Sequence, residues 1–478
     1  MGAAETMALD VDPLALLRDR PDECANVTLT TRQKIVGGAL IAAAAFLLCY
    51  RLVPFLLVLN AVAIIFYTVQ SLYKFYLVWV AMGRPVEIQV SEEEIAALRD
   101  EELPTYTLLI PLHREAEVLP ELVESLAALD YPPEKLDIRL LLEEDDAATI
   151  AAAEALALPP SFHAFVIPDS DPKTKPKACN YGLYTCDSEL LVIYDAEDRP
   201  EPDQLRRVVA AFAKLPDRVI CLQAKLNYYN PRQNLLTKWF TAEYSVWFDL
   251  FLPGLTASRA PIPLGGTSNH FKVAELKQLG GWDPFNVTED CDLGVRLHKH
   301  GHSTAVVDST TWEEANSNLM GWIRQRSRWC KGYMQTYLVH MRHPVTLLRQ
   351  LGLRGWFSFQ MTIGGMIFCL LVNPIYWGMT VLWFATRWEL VPALFPLWVF
   401  ALGAVCLTVG NFAFVYLMVV GCMKRGHYDL VKYAVACPVY WVLMSIGGWK
   451  AALQIVSRPH YWEKTTHGLT RRTEAKER

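Results

Sequence analysis

Residues Leu190-Leu-Val-Ile-Tyr-Asp-Ala-Glu-Asp198 decide the fold. A short apolar run stops abruptly at carboxylates. That pattern marks a buried strand whose carboxyl end opens on a polar crevice. Working outward, Thr107–Leu112, Leu136–Leu142, Phe162–Ile167 and Val219–Ala224 read as further apolar strands. Between them, Glu115–Leu129, Ala147–Leu158 and Leu205–Leu215 read as helices. Strands alternating with helices predict an α/β doubly wound sheet. Ligands bind such sheets beyond the carboxyl ends of the strands. A second acidic cluster, Glu143-Glu-Asp-Asp146, also follows a strand, although alone it equally fits a solvated loop end.

Outside this block the composition changes. The 478 residues are 52% hydrophobic and 20% charged, a modest apolar excess that matters only because it is clustered. Uncharged runs of 16, 22, 32, 34 and 17 residues follow Lys34, Arg51, Arg354, Glu389 and Lys432. A bilayer core of about 30 Å takes about 20 apolar residues as helix. Each run therefore reads as a membrane segment, its flanking Lys and Arg snorkelling. Asn373-Pro374 breaks the longest-but-one run, so one kinked span or two short ones are both possible. About six membrane segments are expected, with five plus a re-entrant piece as the alternative. The expected layout is a polar N-terminal segment (1–31), a transmembrane hairpin (32–83) and an α/β domain (84–336). An interfacial amphipathic segment (337–354), a transmembrane bundle (355–456) and a tail (457–478) follow.

The net charge of -5 argues against a nucleic-acid partner, which needs a basic stripe. The 11 cysteines form no CxxC pair, so neither a disulfide framework nor a zinc site is expected. Met1–Thr31 lacks the basic and apolar regions of a cleaved signal peptide.

The chemistry-bearing residues come in an order. Asp195-Ala-Glu197 offers two hard oxygen ligands suited to Mg²⁺ or Mn²⁺. Thr288-Glu-Asp290 follows the turn Gly280-Gly-Trp-Asp-Pro284 and could also be a helix cap. Gln325-Arg-Ser-Arg-Trp329 sets two guanidinium groups beside an indole, and could also be a basic face on a helix. With Glu143–Asp146 and Lys177-Ala-Cys-Asn180 they form an ordered set. In this order they resemble the signature of the family 2 inverting glycosyltransferases of the cellulose-synthase-like superfamily. Cellulose, curdlan, chitin and hyaluronan synthases belong to that group. The resemblance runs from about Thr105 to Tyr337.

The resemblance implies a cytosolic nucleotide-diphospho-sugar transferase (GT-A) domain inserted between the hairpin and the bundle. It implies Asp290 as general base, and Asp195 and Glu197 as ligands of Mg²⁺ or Mn²⁺. Glu197 departs from the family's second Asp and leaves open whether Asp198 meets the metal instead. Lys177 and Asn180 would contact the nucleotide, as would one member of Glu143–Asp146, named as Glu144 although the aligned member is left open. Arg328 would hold the diphosphate, and Gln325 and Trp329 would serve substrate and acceptor. In the tail, Tyr461-Trp-Glu-Lys-Thr-Thr-His-Gly468 resembles the family's gating element, with Trp462, Thr465, His467 and Gly468 in its places. Leu264–His270 suits close approach by a sugar, or is simply a turn. The aromatic segment from Trp239 to Phe251 partly packs and partly lines an acceptor path.

The expected partners are a UDP-sugar donor, a glycan or lipid acceptor and the membrane, with no nucleic acid. The expected function is transfer of a hexose to a growing β-linked polysaccharide exported through the bundle. The alternative is a single transfer to a membrane lipid such as diacylglycerol, ceramide or polyprenyl phosphate. A bacterial cytoplasmic membrane is the expected location.

Overall fold

The computed structural model describes residues 11–83 and 86–463. Among the described residues, five of the eight strands form where apolar runs were read. The eight are β1 (Tyr106–Leu112), β2 (Leu136–Glu143), β3 (Phe162–Ile167) and β4 (Leu190–Ile193), then β5 (Arg199–Pro200), β6 (Val219–Tyr228), β7 (Asn269–Lys272) and β8 (Ser303–Glu313). They make one sheet in the order β3-β2-β1-β4-β7-β6-β8-β5. β1 to β4 pair in parallel in that order around β1, and β6 pairs β8 in parallel. β7 runs antiparallel between β4 and β6, and β5 antiparallel beside β8. The sheet is therefore mixed rather than purely parallel. Its central strands are buried on both faces, because helices cover both. Leu109, Leu141 and Leu191 face one core, and Leu108, Leu140 and Val192 the other, as period-2 alternation requires.

Among the described residues, five helices have the length and apolarity to cross a membrane: Thr31–Tyr50, Leu52–Gly83, the 43-residue stretch Pro344–Thr386, Leu397–Lys424 and Cys437–Ser457. Six segments were expected. The 32-residue run stays one helix because Pro374 is accommodated within Gly365–Thr386. The boundary expected at 336/337 falls inside the Leu319–His340 helix, which continues until His343-Pro344 starts the next.

Four of these helices lead away from the α/β domain as two hairpins, turning at Arg51 and at residues 387–396. The Leu52–Gly83 helix meets the domain closely at Leu77. A Cβ on Gly254 would lie 2.4 Å from the Leu77 carbonyl oxygen, so only glycine permits the contact. Lys424 and Arg425 end the Leu397–Lys424 helix on the domain. Lys424 donates to the Asp249 carbonyl at 2.8 Å, and Arg425 pairs with the Asp249 carboxylate.

The fifth helix, Cys437–Ser457, has both ends on the domain. Before it, Trp239 Nε1 donates to the Tyr433 carbonyl at 2.8 Å. After it, Lys331 Nζ donates to the Tyr461 carbonyl at 2.6 Å and Gln335 Nε2 to the Pro459 carbonyl at 3.1 Å. Along its length Gly447 packs on Arg326 and Ser327 of the Leu319–His340 helix. Its outer face exposes Val439, Val442, Ile446, Trp449, Leu453 and Val456. Those positions repeat every three and four residues, an apolar stripe along one helix face.

Candidate active site

The carboxyl ends of β4, β6 and β8 surround a cavity of about 760 Å³. β4 runs straight into Asp195-Ala-Glu197, and both carboxylates line the cavity. Asp198 does not. It closes the turn from beneath, its Oδ2 accepting the Asp195 amide at 2.7 Å and the Thr267 hydroxyl. Its Oδ1 is buried without a partner. Burial, with the charges of Asp195 and Glu197, pushes the Asp198 carboxyl far above its ordinary range. The same crowding, with burial foremost, raises Glu313 at the end of β8.

Asp290 lies in the first turn of the Glu289–Lys299 helix and lines the cavity. Its Oδ1 accepts the Cys291 amide at 2.7 Å. Burial pushes this carboxyl up to about 6, against the opposing pull of Lys175 and Arg328. The helix is held on several sides. Asp292 pairs with Arg296 at 2.6 Å and with His340 Nε2 at 2.9 Å, all buried. Val287 donates its amide to Gln335 Oε1 at 3.0 Å. Gly332 allows Thr288 to sit directly on the Leu319–His340 helix; a Cβ there would lie 2.1 Å from Thr288 Oγ1. Asp290 and the Gln325–Trp329 stretch are thus fixed to one another.

Gln325, Arg328 and Trp329 all line the cavity. Gln325 Oε1 and Arg328 Nε are buried without partners. Burial lowers the Arg328 guanidinium, while Glu289, Asp195 and Asp290 oppose that effect. Trp462 lies with its ring centre 4.4 Å from Arg328 Cζ, and also lines the cavity. Thr465 and His467 lie outside the described residues.

Three expected residues stand outside the cavity lining. Glu144 points away: its carboxylate accepts the Asp169 amide at 2.9 Å. Alternation along the strand turns Glu143 to the cavity instead, and Asp145 and Asp146 of the following turn line it too. Lys177 is fully buried and donates to the Ser170 carbonyl at 2.9 Å, with Glu143 at 3.6 Å. Asn180 is also buried. Its amide bonds the Pro13 carbonyl at 2.8 Å and both the carbonyl and the amide of Trp282, tying the N-terminal segment to the turn before Asp290.

The residue on the cavity side is Lys175, two positions earlier and hence about 200° around the helix from Lys177. Its ammonium donates to Asp195 and, at 2.7 Å, to the Gly266 carbonyl. Burial alone would lower this ammonium, but Asp195 and Glu289 raise it. Sequence reasoning missed Lys175 because the Lys-x-x-Asn spacing selected its neighbour. It also missed Glu313 and Glu314; the signal was the carboxylate pair ending the run Thr310-Thr-Trp-Glu-Glu314.

The membrane end of the cavity is aromatic. Trp329 and Tyr244 stack with centroids 6.3 Å apart, and Tyr244 leans on Phe248 at 5.3 Å. Trp239, Phe240 and Phe251 of the same segment are core. Arg326 forms a two-point ion pair with Glu243, one arm at 2.9 Å, and its Cζ lies 4.7 Å from the Trp329 ring centre. The Tyr440 hydroxyl donates to Glu243 at 2.6 Å. Met366 and Met444, from helices beyond the α/β domain, complete this end.

Among the described residues no group of three or more His, Cys, Asp or Glu side chains is already gathered as a metal cage. The donor set still fits a hard divalent cation. Mg²⁺ and similar ions are commonly held by one or two carboxylates together with substrate phosphates. Asp195 and Glu197 face the cavity, and the surplus negative charge around them is what a cation relieves.

The arrangement gathers carboxylates, the cationic side chains of Lys175 and Arg328, and aromatic rings in one cavity over the strand ends. Residues 104–332 match the family model described as glycosyltransferase like family 2. The chain is 26% identical over 255 residues to a probable glycosyltransferase of Bacillus subtilis, covering 52% of this chain and 60% of that one. It is 26% identical over 313 residues to a probable glucomannan 4-beta-mannosyltransferase of Oryza sativa, covering 62% and 53%. It is 28% identical over 243 residues to a beta-monoglucosyldiacylglycerol synthase of Nostoc, covering 49% and 50%. The chain thus spans between half and 60% of the length of these curated relatives. A mannosyltransferase from Pyrobaculum calidifontis, solved in complex with GDP-Man and Mn2+, shares the fold at TM-score 0.51 and 18% identity, over 84% of this chain and 99% of that one. The sheet is therefore GT-A-like. Residues 104–332 are thus similar to a glycosyltransferase family 2 domain, a likeness consistent with the cellulose-synthase-like superfamily.

Proposed function

We propose that this chain is an inverting, membrane-held hexosyltransferase that uses a nucleotide-sugar donor, UDP-hexose first among them. One observation carries the reading. Asp290, Arg328, Asp195 and Glu197 share a cavity whose other end is lined by Met366 and Met444 of the apolar helices. Donor and membrane-side acceptor can therefore meet at a single base.

In this reading the diphosphate lies between Lys175 and Arg328, whose charge-assisted bonds orient it. Asp195 and Glu197 would hold Mg²⁺ or Mn²⁺, which when bound offsets the charge of the departing diphosphate. Asp290 takes the proton of the acceptor hydroxyl as that oxygen bonds the anomeric carbon. The bond from that carbon to the diphosphate oxygen breaks in the same displacement. One displacement inverts the anomeric centre, so an α-linked donor gives a β-glycoside. Trp329 and Tyr244 give the acceptor sugar a flat apolar surface. Trp462 places the start of the tail over Arg328.

The stacked aromatic pair supports a growing β-linked glycan as acceptor, exported through the bundle. The opening at Met366 and Met444 supports the second reading, one transfer to a membrane lipid. Two hairpins crossing the bilayer, with Cys437–Ser457 lying along its surface, put the tail and Lys424-Arg425 on the side of the catalytic domain. Both are basic, as the positive-inside rule requires of the cytosolic face. The expected setting is a bacterial cytoplasmic membrane, with residues 84–336 as the catalytic block.

The test feeds purified membranes a panel of radiolabelled nucleotide-sugars with Mg²⁺ or Mn²⁺. A product of high mass that stays in water supports the glycan; one that partitions into organic solvent supports the lipid. No incorporation from any donor would refute the transferase reading.

A further inference from the structure

Lys74 has no role in the chemistry above, and its setting is unusual. It sits within the Leu52–Gly83 helix, one of the five apolar helices. Its ammonium lies 4.6 Å from the centre of the Phe414 ring, with no carboxylate in ion-pair range among the described residues. The carboxylate whose field reaches it is Glu243. That carboxylate is already occupied by Arg326 and the Tyr440 hydroxyl. A cation inside apolar helices is costly unless paired, and a ring face offsets only part of that cost.

Two more unanswered donors stand on the same helical turn. Gln70 Nε2 and Ser71 Oγ are both buried without a hydrogen-bond partner. Gln70 uses its oxygen on Cys369 Sγ, at 3.6 Å, so its free atom is the amide nitrogen. Residues 70 and 71 lie four and three positions before Lys74, hence on its face of the helix. The three side chains offer N–H and O–H groups and together carry one positive charge.

Their depth is fixed by neighbours. Leu77, one turn further on, is where this helix touches Gly254 of the α/β domain. Gln70 packs on Gly365, whose neighbour Met366 lines the catalytic cavity. The donors therefore sit at the level where cavity and membrane helices meet. That is the depth of lipid headgroups if the domain lies on the bilayer surface.

We infer that Gln70, Ser71 and Lys74 form a binding site for the phosphate of an anionic membrane lipid beside the catalytic cavity. The inference rests on the membrane placement in the proposed function, but not on which sugar or acceptor is used. A phosphodiester presents two anionic oxygens to these donors and supplies the missing counter-charge. Inorganic phosphate shares that chemistry, so the test separates the two sources.

The full chain is reconstituted into phosphatidylcholine vesicles containing phosphatidylglycerol. Energy transfer is read from its tryptophans to pyrene-labelled phosphatidylglycerol or pyrene-labelled phosphatidylcholine. The wild type should prefer the anionic lipid about fivefold, the expected effect of one lysine near the surface. Lys74→Met should abolish the preference and Lys74→Arg retain it. UDP binding, unchanged in both variants, shows that they are folded. Equal transfer to the two lipids in the wild type, or a preference that survives Lys74→Met, overturns the proposal. Displacement of the lipid by millimolar inorganic phosphate in the wild type but not in Lys74→Met assigns the site to free phosphate and overturns the lipid source. Failure of UDP to bind the wild type would instead remove the transferase reading, while the lipid preference stays readable.

Discussion

At the donor end of the cavity Asp195, Glu197, Asp198, Glu289, Asp290 and Glu313 share one another's fields, and Lys175 and Arg328 oppose them. At the membrane end Glu243 is matched by Arg326 and Tyr440, and aromatic rings fill the remaining space. The donor end concentrates carboxylates, whereas the membrane end is already balanced and packed. The difference separates two kinds of sensitivity. Changes at the donor end should alter binding and rate with little effect on stability. Changes at the membrane end should alter stability first.

The largest effect is expected at Asp290. Asp290→Asn keeps the shape but removes the basic oxygen, so transfer should fall about a thousandfold with UDP binding retained. Titration of UDP into the variant, beside a turnover assay, checks both halves. Turnover near wild type would remove the base from the mechanism. Chelation or Asp195→Asn should come next, with a loss of roughly a hundredfold, because relief of charge on a leaving diphosphate contributes several kcal/mol. Activity unchanged in excess chelator would break the account of the donor end.

The balanced end makes the opposite prediction. Glu243→Ala leaves Arg326 buried without its partner, and breaking such a pair costs about 3–5 kcal/mol. The denaturation midpoint of the purified protein should drop while UDP affinity stays. If Glu243→Ala instead lowered UDP affinity and left stability alone, the two ends would not be separable. A smaller effect is the pH profile. Asp290 must be unprotonated to accept a proton, and burial raises it to about 6. Transfer should therefore be flat above that point and fall about tenfold per unit below it. Asp290→Glu, with its longer arm, should shift the midpoint if the assignment is right.

The same contrast governs what could be read from the residues alone. β1 to β4 were legible because each is a short, mostly apolar run bounded by turns, the pattern that burial within a sheet favours. β7 and β8 were not. Asn269–Lys272 and Ser303–Glu313 carry polar residues that pair inside the sheet or face the cavity, so their hydropathy hides them. Asp290, Arg328, Trp329, Asp195 and Glu197 were found through spacing, and all five line the cavity. Glu144 and Lys177 were one and two residues off the residues that face it. Motif spacing fixes a neighbourhood, but the phase of a strand or helix decides which neighbour points inward. The Cys437–Ser457 helix shows the limit of such a reading, because length and apolarity alone do not distinguish crossing a bilayer from lying along it.

Asn180 offers the smallest and sharpest test of that point. The resemblance implies a nucleotide contact, whereas the structure gives its amide to Pro13 and Trp282. Asn180→Ala would leave the Trp282 amide and two carbonyls unanswered in a buried site, a loss of about 1–3 kcal/mol. Lys175→Met, by contrast, removes a cation from the cavity without opening any buried backbone group. The expected pattern is a crossed pair. Asn180→Ala lowers the denaturation midpoint at constant UDP affinity, and Lys175→Met lowers UDP affinity with a smaller change in midpoint. The reverse pattern would return Asn180 to the nucleotide. It would also mean that the turn carrying Trp282 is held by something other than the N-terminal segment. A lowered midpoint at Asn180 together with lowered UDP affinity would show instead that this strap transmits its tension to the donor end through the Asp283–Asp290 turn.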